Sequence, residues 1–326
     1  MRPCTLVAGT ADGVRVLSID EFGRGSVTAS GVHGNAVRGI AVDPDAPDLM
    51  YVAAGLRGNG LHLTLDGGRT FLSLGFEDRW VWDVVLDPSN PSRVLAGTEP
   101  PMLYESLDGG HTWRALSGID HVSSRPNWTF FHAPYHAGHL HGIAITPERP
   151  RRIIVGVEHG GLLVSRDGGD SWNDVMPGAD MHRVVISPDD PDRIWAGAGN
   201  GLFLSTDGGD SWSQVNDLRG RYIHGIVIDP DDPRRMFVYV DSQRCPVYRS
   251  ADGGESWDAA GDGLPSSKPA DPIRLHPEDR AILFYAGDAD GESRLYLSED
   301  DGDDWHDTGV RLPKVWRLAT VPAAGS

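Results

Sequence analysis

Ser165-Arg-Asp-Gly-Gly-Asp-Ser-Trp172 is the stretch that decides how this chain is built. Its short Asp can fold back onto backbone N–H groups of a tight turn, its Gly pair accepts positive φ, and its Trp is placed to pack beneath the turn. Variants recur at Thr64–Phe71, Ser106–Trp113, Ser205–Trp212, Ser250–Trp257 and Ser298–Trp305. The Asp positions fall at 66, 108, 167, 207, 252 and 300, so the period runs from 40 to 59 residues. One octapeptide would be a weak signal, but six in register predict a radial repeat of short strands.

Composition agrees. With 41 Gly and 23 Pro in 326 residues, the chain is punctuated for turns rather than helices. No apolar run approaches the roughly 18 residues needed to span a bilayer, and the N-terminus moves directly into strand-like sequence without a signal core. Cys4 and Cys245 are too few for a disulfide framework. The net charge is −18, carried by 47 Asp and Glu against 29 Lys and Arg, and only Lys268 and Lys314 are lysines. Dense short carboxylates with almost no lysine keep a surface hydrated where salt screens repulsion, so the expectation is a halophilic, acidic, cytoplasmic protein. An acidic surface without a basic stripe argues against a nucleic-acid partner, and nothing suggests a membrane partner.

The repeated octapeptide is similar to the Asp-box of the BNR-repeat β-propeller superfamily, where it occupies the hairpin between the third and fourth strands of a blade. A second recurring segment, an apolar strand ending in x-Pro, precedes each box: Val37–Pro44, Val81–Pro88, Leu140–Pro147, Met181–Pro188, Ile223–Pro230, Ala270–Pro277 and, last, Val315–Pro322. There are seven of these and six boxes. Thr5–Thr10 matches a second strand, Val14–Ser18 a third, and Ser18-Ile-Asp20 a degenerate box. The predicted fold is therefore all-β, one seven-bladed β-propeller over residues 1–326. Its first blade combines residues of about 5–30 with 315–322, which removes the open edge a linear array would leave.

One spacing exceeds the others, and the excess lies at about 120–139. This lid-like insertion carries Trp128, His132, Tyr135, His136 and His139, and its aromatic content argues against disorder. It opens on the face where one blade hands over to the next. The boxes lie on the opposite face, which makes them architecture.

Aligning the seven innermost strands at their second position gives Arg38, Trp82, His141, His182, His224, Asp271 and Trp316. A column at the end of the second strand reads Glu99, Glu158, Asp241 and Asp288, and His159 follows Glu158. Imidazoles converging from separate rigid strands are a usual way to hold Zn²⁺, Fe²⁺, Mn²⁺ or Cu²⁺. On that reading His141, His182 and His224 are the ligands, and no organic cofactor is expected. Glu158 is then a base or fourth ligand, and Arg38 or Arg183 anchors an anionic small-molecule substrate. The competing reading makes each His a staple to a carboxylate of its own blade, as His141 with Glu158 or His224 with Asp241, leaving His182 without an obvious partner. Trp82 and Trp316 are walls of a pocket or plugs of the channel.

The Asp-box superfamily includes sialidases, xyloglucan-degrading glycosidases, sortilin-type receptors and photosystem II assembly factors. The segment running from Arg125-Pro-Asn-Trp-Thr-Phe130 through His139-Leu-His141 to Val157-Glu-His-Gly-Gly161 looks like that of BNR-like repeat proteins often labelled glycosyl hydrolases. The Arg-Leu-Pro tripeptide that sialidases carry near the N-terminus occurs here only at Arg311–Pro313. The resemblance implies the fold and does not single out one activity. The histidine column points to a metal-assisted small-molecule enzyme (lyase, hydrolase or oxygenase), the photosystem factors to a non-catalytic binding or assembly scaffold, and the carboxylates Glu99, Glu158, Asp241 and Asp288 to a metal-free glycoside hydrolase using two of them.

Overall fold

A computed structural model of the chain describes residues 1–54, 60–130, 137–147, 151–267 and 271–322. They form seven four-stranded antiparallel sheets. Blade one takes Val315–Pro322 as its innermost strand, paired along Cys4–Thr10, and continues outward through Gly13–Ile19 and Gly25–Gly31. Blades two to seven each use four strands consecutive in the chain, starting innermost at Val37–Val42, Trp80–Asp87, Leu140–Ile145, Met181–Ile186, Ile223–Ile228 and Ile273–Leu275. The chain is thus a seven-bladed propeller whose ring is closed by both termini in one blade.

Second strands are buried on both faces because every blade is sandwiched by two others. Ile153–Val157, Ile194–Ala198 and Met236–Val240 are buried throughout. The core is accordingly seven interblade clusters rather than one centre. Between blades three and four, for example, Leu95, Leu103 and Leu116 meet Ile143, Ile153, Val155 and Leu163.

The boxes work as turn clamps. In blade four, Asp167 accepts from the Ser171 N–H at 2.9 Å and from the Ser165 hydroxyl at 2.8 Å, while Ser165 Oγ accepts from the Gly169 N–H at 2.8 Å. Trp172 Nε1 closes the turn by donating to the Gly169 carbonyl at 3.1 Å. Gly169 has φ 103°, and a Cβ there would lie 2.6 Å from Leu116 Cδ1 of the neighbouring blade, so conformation and packing both require glycine. The degenerate box of blade one keeps the acceptor, since Asp20 takes the N–H groups of Phe22 and Arg24 at 2.9 and 2.8 Å.

At the opposite end the innermost strands share a different device. Pairing with the second strand skips one residue: Arg38, Trp82, His182, His224 and Trp316 each bulge out of the ladder. In blade four the skipped residue is Gly142, at φ 68°. A β-bulge re-aims its side chain out of the strand's alternation, and here it turns Arg38, Trp82, His182, His224 and Trp316 toward the axis, while His141 stays in the ladder opposite Gly156.

Candidate site at the mouth of the channel

The bulged column opens into a cavity of about 180 Å³ lined by Arg38, Trp82, His139, His141, Glu158 and His182, with Phe130, Tyr222, His224, Asp271 and Trp316 completing the wall. Blade four contributes most of the chemistry. His139 Nε2 lies 2.5 Å from Glu158 Oε2, and His141 Nε2 lies 3.1 Å from the same oxygen. The other nitrogen of His139 faces Glu99 Oε2 of blade three at 3.6 Å. Trp82 stacks flat on His139, with ring centroids 3.6 Å apart and planes within 7°. Burial pushes the pKa of His139 and of His141 down. Burial would raise that of Glu158, but the hydrogen bond and charge of His139, with the nearby His141 imidazole, outweigh it and hold the carboxyl well below its usual range.

Blade five supplies a second pair. His182 Nδ1 meets the Ile223 carbonyl at 3.1 Å and Nε2 faces Asp180 Oδ1 at 3.3 Å. The carbonyl can only accept, so Nδ1 carries a proton, whereas Nε2, though close to Asp180, makes no aligned hydrogen bond to it. Burial alone would pull His182 down; the Asp180 carboxylate outweighs it, and the pKa is raised. Burial likewise opposes the ionised form of Asp180, yet His182 and the Tyr222 hydroxyl, which donates at 2.8 Å, hold it at about 2. Arg38 sits between two indoles, 4.6 Å from the Trp82 ring and 4.1 Å from that of Trp316. Trp82 and Trp316 are walls of the cavity.

Below the cavity the axis is crossed by ion pairs. Asp271 accepts from Arg274 at 2.7 and 2.8 Å, and its Oδ2 lies 3.0 Å from Arg317 Nη1. Asp83 Oδ2 accepts the Gly142 and Ile143 N–H groups at 3.1 and 3.3 Å, and Arg317 and Arg183 approach Asp83 at 3.7 and 4.0 Å. Burial, reinforced by the Arg183 charge, brings the Arg317 pKa down to about 10. These groups floor the cavity and separate it from a second one, of about 430 Å³, lined by Arg183, Arg317 and apolar residues of blades two and three.

Several expectations need correction. His141, His182 and His224 do not converge: His182 and His224 stack at 4.3 Å with planes 28° apart, whereas imidazole binds a metal in its own plane. His182 also has a partner after all, Asp180, two residues upstream rather than on the second strand. Arg183 is no anchor at the mouth, because it lies beneath the floor in the second cavity. Trp128 is buried in the cluster between blades three and four, its Nε1 donating to Ser124 Oγ at 3.0 Å. Asp241 lies outside the cavity lining and accepts from Ser266 Oγ at 3.2 Å. Asp271 belongs to the floor. His159 flanks the cavity, 3.9 Å from Asp180 Oδ1 and edge-on to Phe130. His132, Tyr135 and His136 lie outside the described residues. Asp180 and Tyr222 were missed, although both stand two residues before a column His, as His139 does. An extended chain carries residues i and i−2 on one face, so shifting the alignment by two positions would have found them.

Fold and turn motif together define a seven-bladed propeller built on Asp-box turns. A family model described as sortilin, neurotensin receptor 3, matches residues 200–319. The oligoxyloglucan-reducing end-specific xyloglucanase of Emericella nidulans is 26% identical over 153 residues, 43% of this chain and 17% of that enzyme. A second such match, at 24% identity, covers 21% of its relative, so the aligned part spans less than a quarter of either enzyme. Among solved structures, the GH74 xyloglucanase of Xanthomonas campestris superposes with a TM-score of 0.59 at 16% identity, over 93% of this chain and 58% of that one. A protein from Lactobacillus plantarum superposes at 0.66 and 13% identity, over 98% and 99%. At these identities the structural likeness speaks for the fold alone.

Proposed function

We propose that the protein is a hydrolytic enzyme acting on a small carbohydrate-like molecule in the cavity at the channel mouth. The observation that carries this is the pair of His–carboxylate assemblies, His139/His141 with Glu158 and His182 with Asp180, brought to one enclosed space by adjacent blades. Its volume, about 180 Å³, is below the roughly 300–1,000 Å³ of pockets for drug-sized ligands, so the occupant is small. Arg38, held between the Trp82 and Trp316 indoles, suits an anionic or oxygen-rich edge of the occupant. The partial likeness to xyloglucanases supports a carbohydrate substrate.

The chemistry differs from that of a two-carboxylate glycosidase. Atoms of Glu158 and Asp180 lie within 4.8 Å of one another, close to the roughly 5–5.5 Å of retaining enzymes. Such a pair, however, needs one carboxyl kept protonated, and imidazoles hold both of these as anions. The proton for a leaving oxygen comes instead from Nε2 of His182, whose charged form the nearby Asp180 carboxylate favours. Water adds to the other side of the broken bond and the proton it releases restores the His182 imidazolium; Phe130 of the insertion lines the cavity.

The test begins with ligand-observed NMR against neutral and acidic mono- and disaccharides, followed by turnover of those that bind. His182→Ala is expected to lower kcat by about 10²–10⁴ with KM little changed, the usual weight of a general acid. Unchanged kcat in that variant, or no carbohydrate bound by the wild type, would overturn the proposal.

A further inference from the structure

We infer that His139, His141 and Glu158 hold a divalent transition-metal ion at the channel mouth, with Glu99 orienting His139 from the neighbouring blade. The inference deepens the reading of the mouth as the working site and rests on it. His139 and His141 flank Leu140 at the start of an extended strand, so their imidazoles emerge on one side. Glu158 ends the adjacent strand, and its N–H donates to the His139 carbonyl at 3.1 Å, which fixes the three side chains at one sheet end. Their ligand atoms all lie within 4.8 Å of one another.

The spacings fit shared coordination. Bonds of about 2.0–2.2 Å to nitrogen and oxygen place ligand atoms roughly 3–3.5 Å apart. His141 Nε2 sits 3.1 Å from Glu158 Oε2, and His139 Nε2, at 2.5 Å, needs only a small outward shift. A staple requires one imidazole on one carboxylate. Here two imidazoles present the same nitrogen to a single oxygen, and a second carboxylate stands behind one of them, 3.6 Å from His139 Nδ1. That carboxylate–histidine order is the one that orients ligating histidines in metal proteins. The buried His141 Nε2 makes no aligned hydrogen bond despite its closeness to Glu158, so its in-plane direction is available to a cation. Two His and one Glu leave a coordination position open, as hydrolytic zinc sites do, and it faces the cavity where His182 and Tyr222 line the far wall. The other cluster, Glu158, His159 and Asp180, is a poorer site, because His159 is 45% exposed and 3.9 Å from Asp180.

The experiment uses untagged full-length protein stripped with a chelator and titrated with Zn²⁺ by calorimetry and with Co²⁺ by visible absorption. One equivalent should bind, with the intense ligand-field bands of a low-coordinate Co²⁺ site. His141→Ala should weaken binding at least about 100-fold, and Glu99→Gln about 10–100-fold, the usual range for a residue behind a ligand. Glu158→Gln, which preserves shape, provides the loss in a variant expected to fold, checked by its melting curve. His182→Ala and His224→Ala should bind as the wild type does. Absence of Co²⁺ bands in the wild type would overturn the inference, as would a loss in His182→Ala equal to that in His141→Ala. Carbohydrate binding by protein that takes up no metal would sink this inference alone, whereas metal uptake without carbohydrate binding would sink only the proposed function.

Discussion

Blades four and five can be compared at both their ends. At the box end, Gly169 and Gly209 donate to Ser165 and Ser205 at 2.8 Å, and Trp172 and Trp212 close each turn at 3.1 Å. At the mouth end the backbone again bulges, but the partners part company. His141 meets Glu158 from the second strand, whereas His182 meets Asp180 from its own strand's approach. Where side chain and partner both repeat, the repeat is architecture. Where only the position repeats, the fold has supplied a platform and the blades have diverged on it.

The largest break in that comparison comes from removing what both ends share. Deletion of residues 314–326 takes away the strand that pairs with Cys4–Thr10, together with Trp316 and Arg317 of the cavity. Loss of cooperative thermal unfolding is expected, with aggregation on gel filtration, because an open ring exposes two blade faces. A truncated protein that melts like the wild type would show that the ring does not depend on this closure.

Two glycine substitutions then separate the ends. Gly169→Ala places a methyl at φ 103° against Leu116 and should cost about 2–3 kcal/mol in denaturant unfolding. Gly142→Ala, at φ 68° with its Cβ 3.0 Å from Arg183 Cα, should cost less, about 1–2 kcal/mol. It should nonetheless weaken Co²⁺ or carbohydrate binding, because relieving the strain at Gly142 shifts the adjacent His141. Equal stability losses with binding intact in both would erase the distinction.

Strong acid should act on the box end, after the buried imidazoles at the mouth, whose depressed pKa values already cost stability as pH falls below the ordinary histidine range. Hydrogen bonds from Thr70 and Thr112 hold Asp66 and Asp108 at about 2; Asp167 reaches the same value because Ser171 outweighs a burial effect of opposite sign. These values lie below the roughly 3.9 of an unfolded Asp, so the unfolded chain binds more protons and the folded state is favoured above that pH. Stability should therefore fall as pH drops from about 4 toward 2. Replacing the three Asp by Asn should lessen the fall in melting temperature across that window; an undiminished slope would place the acid sensitivity elsewhere.

The smallest effect is that of salt. With a net charge of −18, melting temperature should rise by a few degrees between low salt and molar KCl as repulsion is screened. A flat response would remove the argument for a halophilic, high-salt setting.

Much of the architecture was legible in the chain because it depends on local chemistry. A turn of Asp, two Gly and Trp needs those residues wherever it occurs, so six copies and seven strand motifs counted the blades and predicted the closure. Position was legible at the mouth too, since matching positions at the start of the innermost strands face one axis, which placed Arg38, Trp82, His141, His182, His224 and Trp316 around a common space. Partnership was not legible, because it turns on ring orientation and on distances of a few ångströms between blades. Sequence alignment cannot tell His182 stacked on His224 from two imidazoles pointing at one ion, nor show that Arg183 lies below the floor while Arg38 lies above it. Only the closed ring decided that His139 stands between Glu99 and Glu158, because those carboxylates come from different blades and meet through tertiary packing alone.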